Sequence, residues 1–460
     1  MTMKLYDAFG REVDRALLRE EQAAPTMTGI RNIYSSMHPS VGLTPERFTQ
    51  ILREAEFGDP FLYLELAEEM EEKDLHYLAV LNTRKEAVSQ LKFDITPASS
   101  DKDDLRAAEM VRAMLANDAL DLASAMVDIL DAIGKGFSAT EILWDSSKRE
   151  WFPCRLRWRD PRWFMFDWVS GEELLVRTLR NQGPSIPVDG EAAARGSHFK
   201  GAGLYGALRG DIGIQPMTEP LLPYKFIVHF AKAKAGLPIR GGLARAAGWS
   251  YLFKNYVLKD WVTFAEVYGQ PLRVGKYGPG ATEQDKQTLL QAVANIGTDA
   301  AAIVPDSMLI EFTEARQTGN AELYQSFCQY LDAQISKAVL GQTLTTEIPQ
   351  GAGSRAAAEV HDAVRHDIMS ADARRLAATL NRDLVRPIVD LNLGPRQNYP
   401  RLTIGMADDA DINDFVDMVT KLADHGVRIG QQTVRRRMEI PEPAEDEPVL
   451  QPSRVPLASA

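Results

Sequence analysis

RGGLARAAGWSYLFKNYVLKDWVTFAEVYGQPLRVGKY, residues 240–277, is the stretch from which the fold is read. No glycine or proline interrupts Trp249 to Tyr268, which predicts a helix about 30 Å long at 1.5 Å per residue. Phe253, Val257, Trp261, Phe264 and Tyr268 form one apolar stripe, with Leu252 and Tyr256 off it, so more than one face is adhesive. Such a helix is buried among neighbours. In a compact monomer these are other parts of the chain; in a ring they are the same helix of adjacent subunits. Lys254, Lys259 and Asp260 argue against a membrane span, and no run approaches the roughly 20 apolar residues a span requires.

Downstream, Leu272-Arg273-Val274 reads as a short strand and Thr282 to Asn295 as a helix. Ala301 to Val304 and Met308 to Phe312 look strand-like around the Pro305-Asp306 turn. A helix from Glu322 to Leu340 is stopped by Gly341, and Ser354 is the N-cap candidate for a long helix that Pro387 should kink or end. Asp411 to Asp424 and Thr433 to Met438 read as closing helices, before a tail rich in proline and acids that is expected to be disordered.

Upstream, a polar leader runs to about Val41. Thr44-Pro45-Glu46 then has the order of N-cap, first-turn proline and first-turn acid, with Phe48, Ile51, Leu52 and Ala55 at helical spacing and Gly58 as the stop. Asp59-Pro60 restarts a helix expected to continue to about Leu91 with dense charge on its outer face. Leu105 to Leu115 and Leu122 to Ile133 are also helical in pattern. From Phe137 the period changes to two: Phe137 to Trp144, Arg155 to Arg159, Trp163 to Trp168 and Glu173 to Leu179 read as antiparallel strands. Glycine- and proline-rich sequence between Gly183 and Pro238 reads as an inter-domain segment or extended arm. The fold class is α+β.

The chain has 460 residues, 45% hydrophobic and 25% charged, a globular composition long enough for two or three packed units. Cys154 and Cys328 stand far apart in no CxxC arrangement, which fits a reducing, cytoplasmic origin and no disulfide framework. The N-terminus lacks the apolar core of a signal peptide. A formal charge of −12 disfavours gripping nucleic acid, because that affinity comes from Lys and Arg on phosphates, but is compatible with letting DNA slide. A plain acidic soluble protein gives the same charge.

Motifs for chemistry fail on context. Gly201-Ala202-Gly203-Leu204-Tyr205-Gly206 matches GxGxxG without the strand before and helix after that a dinucleotide fold needs. Gly134-Lys135-Gly136 lacks P-loop spacing. His361 and His366 are five apart and on different helix faces, unlike a zinc pair. Gly353-Ser354-Arg355 is not a nucleophile elbow. Asp101, Asp103 and Asp104 sit where acids favour a helix N-terminus rather than a metal. Trp158, Trp163, Phe164, Phe166 and Trp168 among Arg155, Arg157, Arg159 and Arg162 could stack bases, but a half-buried sheet gives the same alternation. No catalytic set, cofactor or metal is expected.

In fixed order the chain contains LTPERFTQILREAEFGDP (43–60), Met70-Glu71-Glu72-Lys73-Asp74 through Leu81-Asn82-Thr83-Arg84-Lys85, RDPRWFMFD (159–167), the block at 240–277, VLGQTLTTE (339–347) and GSRAAAEVH (353–361). Together these resemble the portal proteins of Mu-like tailed bacteriophages over roughly residues 40 to 440. The resemblance implies a homo-oligomeric ring, typically of twelve subunits, at one capsid vertex of the virion and assembled in the bacterial host cytoplasm. Double-stranded DNA passes through it without sequence specificity, during packaging and at ejection. Implied partners are the terminase large subunit, the major capsid protein and a head–tail connector protein, with no membrane. The other classes are a minor capsid or head–tail adaptor protein without a channel, and a packaging-associated nuclease or protease.

By the same resemblance, residues 42–239 are a wing, 240–300 stem and clip, 301–387 wing return strands with channel loop and long helix, and 388–440 a crown; the leader, 1–41, and the disordered tail, 441–460, lie outside it. The stem interface falls on Phe253, Val257, Trp261, Phe264 and Tyr268, and the clip on Leu272, Arg273, Val274, Lys276 and Tyr277. The channel loop falls on Gln342, Thr343, Thr345, Thr346, Gln350 and Arg355; the first five, polar and uncharged, would touch phosphates without a strong electrostatic grip.

Overall fold

The structure, a computed structural model, describes residues 4–24, 38–147, 150–177, 218–268, 272–295, 309–313, 320–343, 354–405 and 409–427, with a few single positions beyond. It divides into two compact units, Met1–Gln90 with Asp94–Thr403, and Leu91–Phe93 with Ile404–Ala460.

Helix α1 (Pro45–Glu56) starts as its sequence dictates: the Thr44 hydroxyl accepts the Arg47 N–H at 3.2 Å, and Phe48, Ile51 and Ala55 are buried. The single helix expected from Pro60 is two, α2 (Phe61–Lys73) and α3 (Leu75–Ser89). Asp74 breaks it by taking an extended conformation, its carboxylate accepting the N–H groups of His76 and Tyr77. The charge on these helices is not all outward, since Glu65, Glu69 and Lys85 are buried.

Strand β1 (Phe93–Thr96) precedes α4 (Lys102–Leu115), α5 (Leu122–Ile129) and the short α6 (Ala132–Lys135). Six strands follow: β2 (Phe137–Asp145), β3 (Phe152–Arg159), β4 (Phe164–Phe166), β5 (Leu174–Arg177), β6 (Thr218–Pro220) and β7 (Phe226–Phe230). They form two antiparallel sheets, β3-β2-β7 and β4-β5-β6, with Ile142 opposite Leu156 and Ala139 opposite Val228. The strand expected from Trp163 is shorter because Asp160 caps a 3-10 turn at Pro161–Trp163. Strands β6 and β7 lie within the stretch read as an arm, and its remainder, 183–217, is outside the described residues.

Helix α7 (Ala244–Tyr268) begins before Trp249 and runs 25 residues, about 37 Å, through Gly248. A Cβ on Gly248 would stand 2.5 Å from the Phe48 ring, so the glycine admits close packing on α1. The chain continues through β8 (Leu272–Lys276), α8 (Glu283–Asn295), β9 (Leu309–Thr313), α9 (Asn320–Leu340) and α10 (Ser354–Leu380).

The long helix does not end at Pro387. A π-helical turn at Asn381–Val385, in which the Arg386 N–H bonds the Asn381 carbonyl, leads into α11 (Arg386–Leu393) and accommodates Pro387, which has no N–H to donate. Ile388, Val389 and Leu391 are buried in the larger unit, so residues 388–403 do not join the C-terminal unit. Strand β10 (Arg401–Ile404) pairs with β1, and α12 (Asp409–Asp424) follows. Among the described residues no helix is long and apolar enough to cross a membrane.

Candidate functional site

The long helix packs along α9. Trp261 stacks on Tyr324, Phe264 lies 5.8 Å from the same ring, and Val257, Cys328 and Leu331 are buried. The expected stripe therefore divides. Val257, Trp261 and Phe264 turn toward α9 of the same subunit, Phe253 stays 41% exposed, and the Tyr268 side chain is outside the described residues. Leu252, off the stripe, is buried, and the Tyr256 hydroxyl donates to the Leu43 carbonyl at 2.6 Å. The helix lying along α7 is thus α9.

Polar contacts fix the pair on α3. Lys254 Nζ donates to Asp74 at 2.9 Å and to Asp332 at 2.5 Å. Burial opposes the Lys254 charge, but these hydrogen bonds outweigh it and hold its pKa above the usual lysine value. His76 Nε2 is 2.7 Å from Ser336 Oγ. Arg84 donates to Asp372 at 2.7 Å and to the Val339 carbonyl at 2.6 Å, supplying a donor to the last turn of α9.

The outer rows of both helices stay open. On α7, Leu258 is 39% and Val262 59% exposed; on α9, Leu323 is 64%, Phe327 44% and Tyr330 57% exposed. The α9 row has the i, i+4, i+7 spacing of a helix face and was legible in the sequence, but the stronger aromatic pattern of α7 drew the reading there.

Strand β8 pairs with β9, Leu272 opposite Thr313 and Lys276 opposite Leu309. Strand β9, within the segment expected to hold wing return strands, thus pairs its N–H and C=O groups with those of β8. Leu272, Arg273, Val274 and Lys276 lie on β8, and Tyr277 is exposed with Lys286 Nζ 5.3 Å above its ring.

At the foot of α9, Gly341 takes φ +71°, and a Cβ there would meet Ile368 and Val364 at about 3 Å. Gln342 is only 2% exposed, its amide buried within the subunit. Thr343 is half-buried. Thr345, Thr346 and Gln350 are outside the described residues, and Arg355 stands on α10 with its side chain outside them.

Of the motifs set aside, the sequence 201–206 is outside the described residues. Among the described residues no group of His, Cys, Asp and Glu is arranged to hold a metal ion. Asp103 and Asp104 lie in the first turn of α4, though Asp101 makes no side-chain cap. In the Arg–aromatic strand, Phe164 and Phe166 are buried, Arg159 pairs with Glu141 and Glu21, and Arg162 pairs with Asp160.

Known proteins match most of this chain. The family model of the portal protein of Mu bacteriophage matches residues 64–440. The Mu-like prophage FluMu protein gp29 of Haemophilus influenzae is 37% identical over 90% of this chain and 74% of its own length. The portal protein of Escherichia phage Mu is 35% identical over the same shares. Solved structures are more distant. An HK97-family phage portal protein from Corynebacterium diphtheriae gives a TM-score of 0.37 at 10% identity, over 73% of this chain and 93% of its own. A chain of a native gene transfer agent virion gives 0.45 at 9%, over 86% and 94%. The assignment rests on the sequence matches: the chain belongs to the family of Mu bacteriophage portal proteins.

Proposed function

We propose that copies of this portal protein close into a ring, with twelve as the expected number, that conducts double-stranded DNA through one vertex of the capsid without reading its sequence. The observation that carries the ring is the helix pair. Trp261, Phe264 and Tyr324 satisfy one another inside the subunit, whereas Leu258, Val262, Leu323, Phe327 and Tyr330 remain exposed on the same two helices. An apolar surface of that kind suits a second copy, and a head-to-tail contact generates a closed ring. In this reading α7 and α9 form the stem, β8 and β9 the clip, the sheets and α1–α5 the wing, and α12 the crown. The terminase large subunit, the major capsid protein and a head–tail connector are its partners, and it has no catalysis of its own. The net charge of −12 fits a conduit that does not bind phosphate tightly.

Light scattering and negative-stain imaging of the purified protein test the ring. A discrete assembly near twelve times 51.1 kDa is expected. Val262→Glu with Leu323→Glu should return it to subunits of unchanged helical content. A wild-type protein that stays monomeric overturns the reading in favour of a channel-free adaptor.

A further inference from the structure

Residues 4–24, read from sequence as a leader and preceding the family match, are built into the larger unit. Leu5, Val13, Leu18 and Ala23 are buried. Their attachment centres on Glu141 of β2, which has no exposed surface. Its carboxylate accepts the backbone N–H of Gln22 at 2.6 Å, that of Ala23 at 3.2 Å and Arg159 Nε at 2.8 Å. Lys225, equally buried, stands 3.7 Å from Glu141 and donates to the Leu18 carbonyl at 2.8 Å. The other arm of Arg159 donates to Glu21 at 2.5 Å. The Gln22 side chain donates to the Pro220 carbonyl at 2.8 Å and accepts the Leu222 N–H at 2.9 Å.

With the segment seated, Glu21 and Glu141 face Arg159, Lys225 and the more exposed Arg157. Lifted away, it would leave Glu141 without two donors, Lys225 without its carbonyl and Arg159 without Glu21. Glu141 would keep Arg159 and Lys225, so the segment adds the hydrogen bonds that the sheet alone does not supply. The segment is held by three of its main-chain groups, two N–H donors and one carbonyl, and by the side chains of Glu21 and Gln22.

We propose that the sheet face around Glu141 is a dock for residues 4–24, and that this segment is a latch, seated and released as one unit about Glu141. The inference goes beyond the portal reading and does not depend on the ring.

Hydrogen exchange on the full-length protein, followed by mass spectrometry, tests it. In Glu141→Gln and in Lys225→Met, peptides across 4–24 should exchange about tenfold faster together, while α2 and α3 keep wild-type protection. Gln22→Ala lies on the latch itself and leaves the sheet's own hydrogen bonds in place; it should speed exchange over the whole of 4–24. Wild-type protection of 4–24 in all three variants overturns the proposal. So does acceleration in Gln22→Ala confined to its immediate neighbours, or an even loss across sheet and helices in the other two.

Discussion

Trp261 stacks on Tyr324 with ring centroids 6.3 Å apart and planes 12° from parallel. Truncating either ring to alanine should lower stability, and the double-mutant cycle should give a coupling of about 1 kcal/mol. Urea unfolding of the four proteins measures it, and a coupling near zero would mean that the rings touch without stabilising each other.

Lys135 is buried among Asp131 at 2.5 Å, Glu68 at 3.0 Å and Glu71 at 3.4 Å, with Lys85 on the far side of Asp131 at 2.9 Å. Burial acts against its charge, but the carboxylates outweigh it and its pKa lies above the usual lysine value. Lys135→Met would strand acids in the interior and should cost about 3–5 kcal/mol. Lys73→Met, at a half-exposed pair with Glu69, should cost under about 1 kcal/mol. Equal midpoints in denaturant for the two variants would contradict this.

His229 is 3% exposed, with Nδ1 at 2.9 Å from Thr379 Oγ1. Burial lowers its pKa from 6.5 to about 4. The fold holds it neutral, so its contribution is complete above pH 6.5 and is lost as pH falls through 6.5 toward 4, where the unfolded chain binds the extra proton. The loss amounts to roughly 3 kcal/mol. Thermal unfolding from pH 7 to 4 should show a steeper decline in wild type than in His229→Gln; parallel curves would remove His229 as the cause.

In the proposed channel, Thr345→Lys with Thr346→Lys would set cations around the ring against the DNA backbone. Packaging by such particles should slow or stall while ring size is unchanged, and the defect should ease as salt is raised. Normal packaging rates would take this loop off the DNA path.

What was legible in the sequence was local. Thr44-Pro45 announces α1 because cap and first turn are adjacent residues, and the alternation from Phe137 announces β2. The break at Asp74 was hidden because one aspartate inside a helical pattern is also an ordinary surface residue. Strand β7 was masked by the glycines and prolines around it, although Phe226 to Phe230 is itself strand-like. In the site, the apolar character of α7 was plain, but its partner lies far along the chain and no local spacing names it. Glu141, Lys225 and the segment on them escaped notice because Leu5, Val13, Leu18 and Ala23 follow no period.

Asp74 ends one helix, caps the next and receives Lys254 from the long helix, all within hydrogen-bond distance of its carboxylate. Those duties narrow what the position can accept. Asparagine would keep the cap but offer the lysine only a neutral oxygen, leaving Asp332 as its one carboxylate, and glutamate would keep the charge while capping poorly. Position 74 is therefore open to drift only if 254 changes with it, so across relatives the two should vary as a pair or not at all.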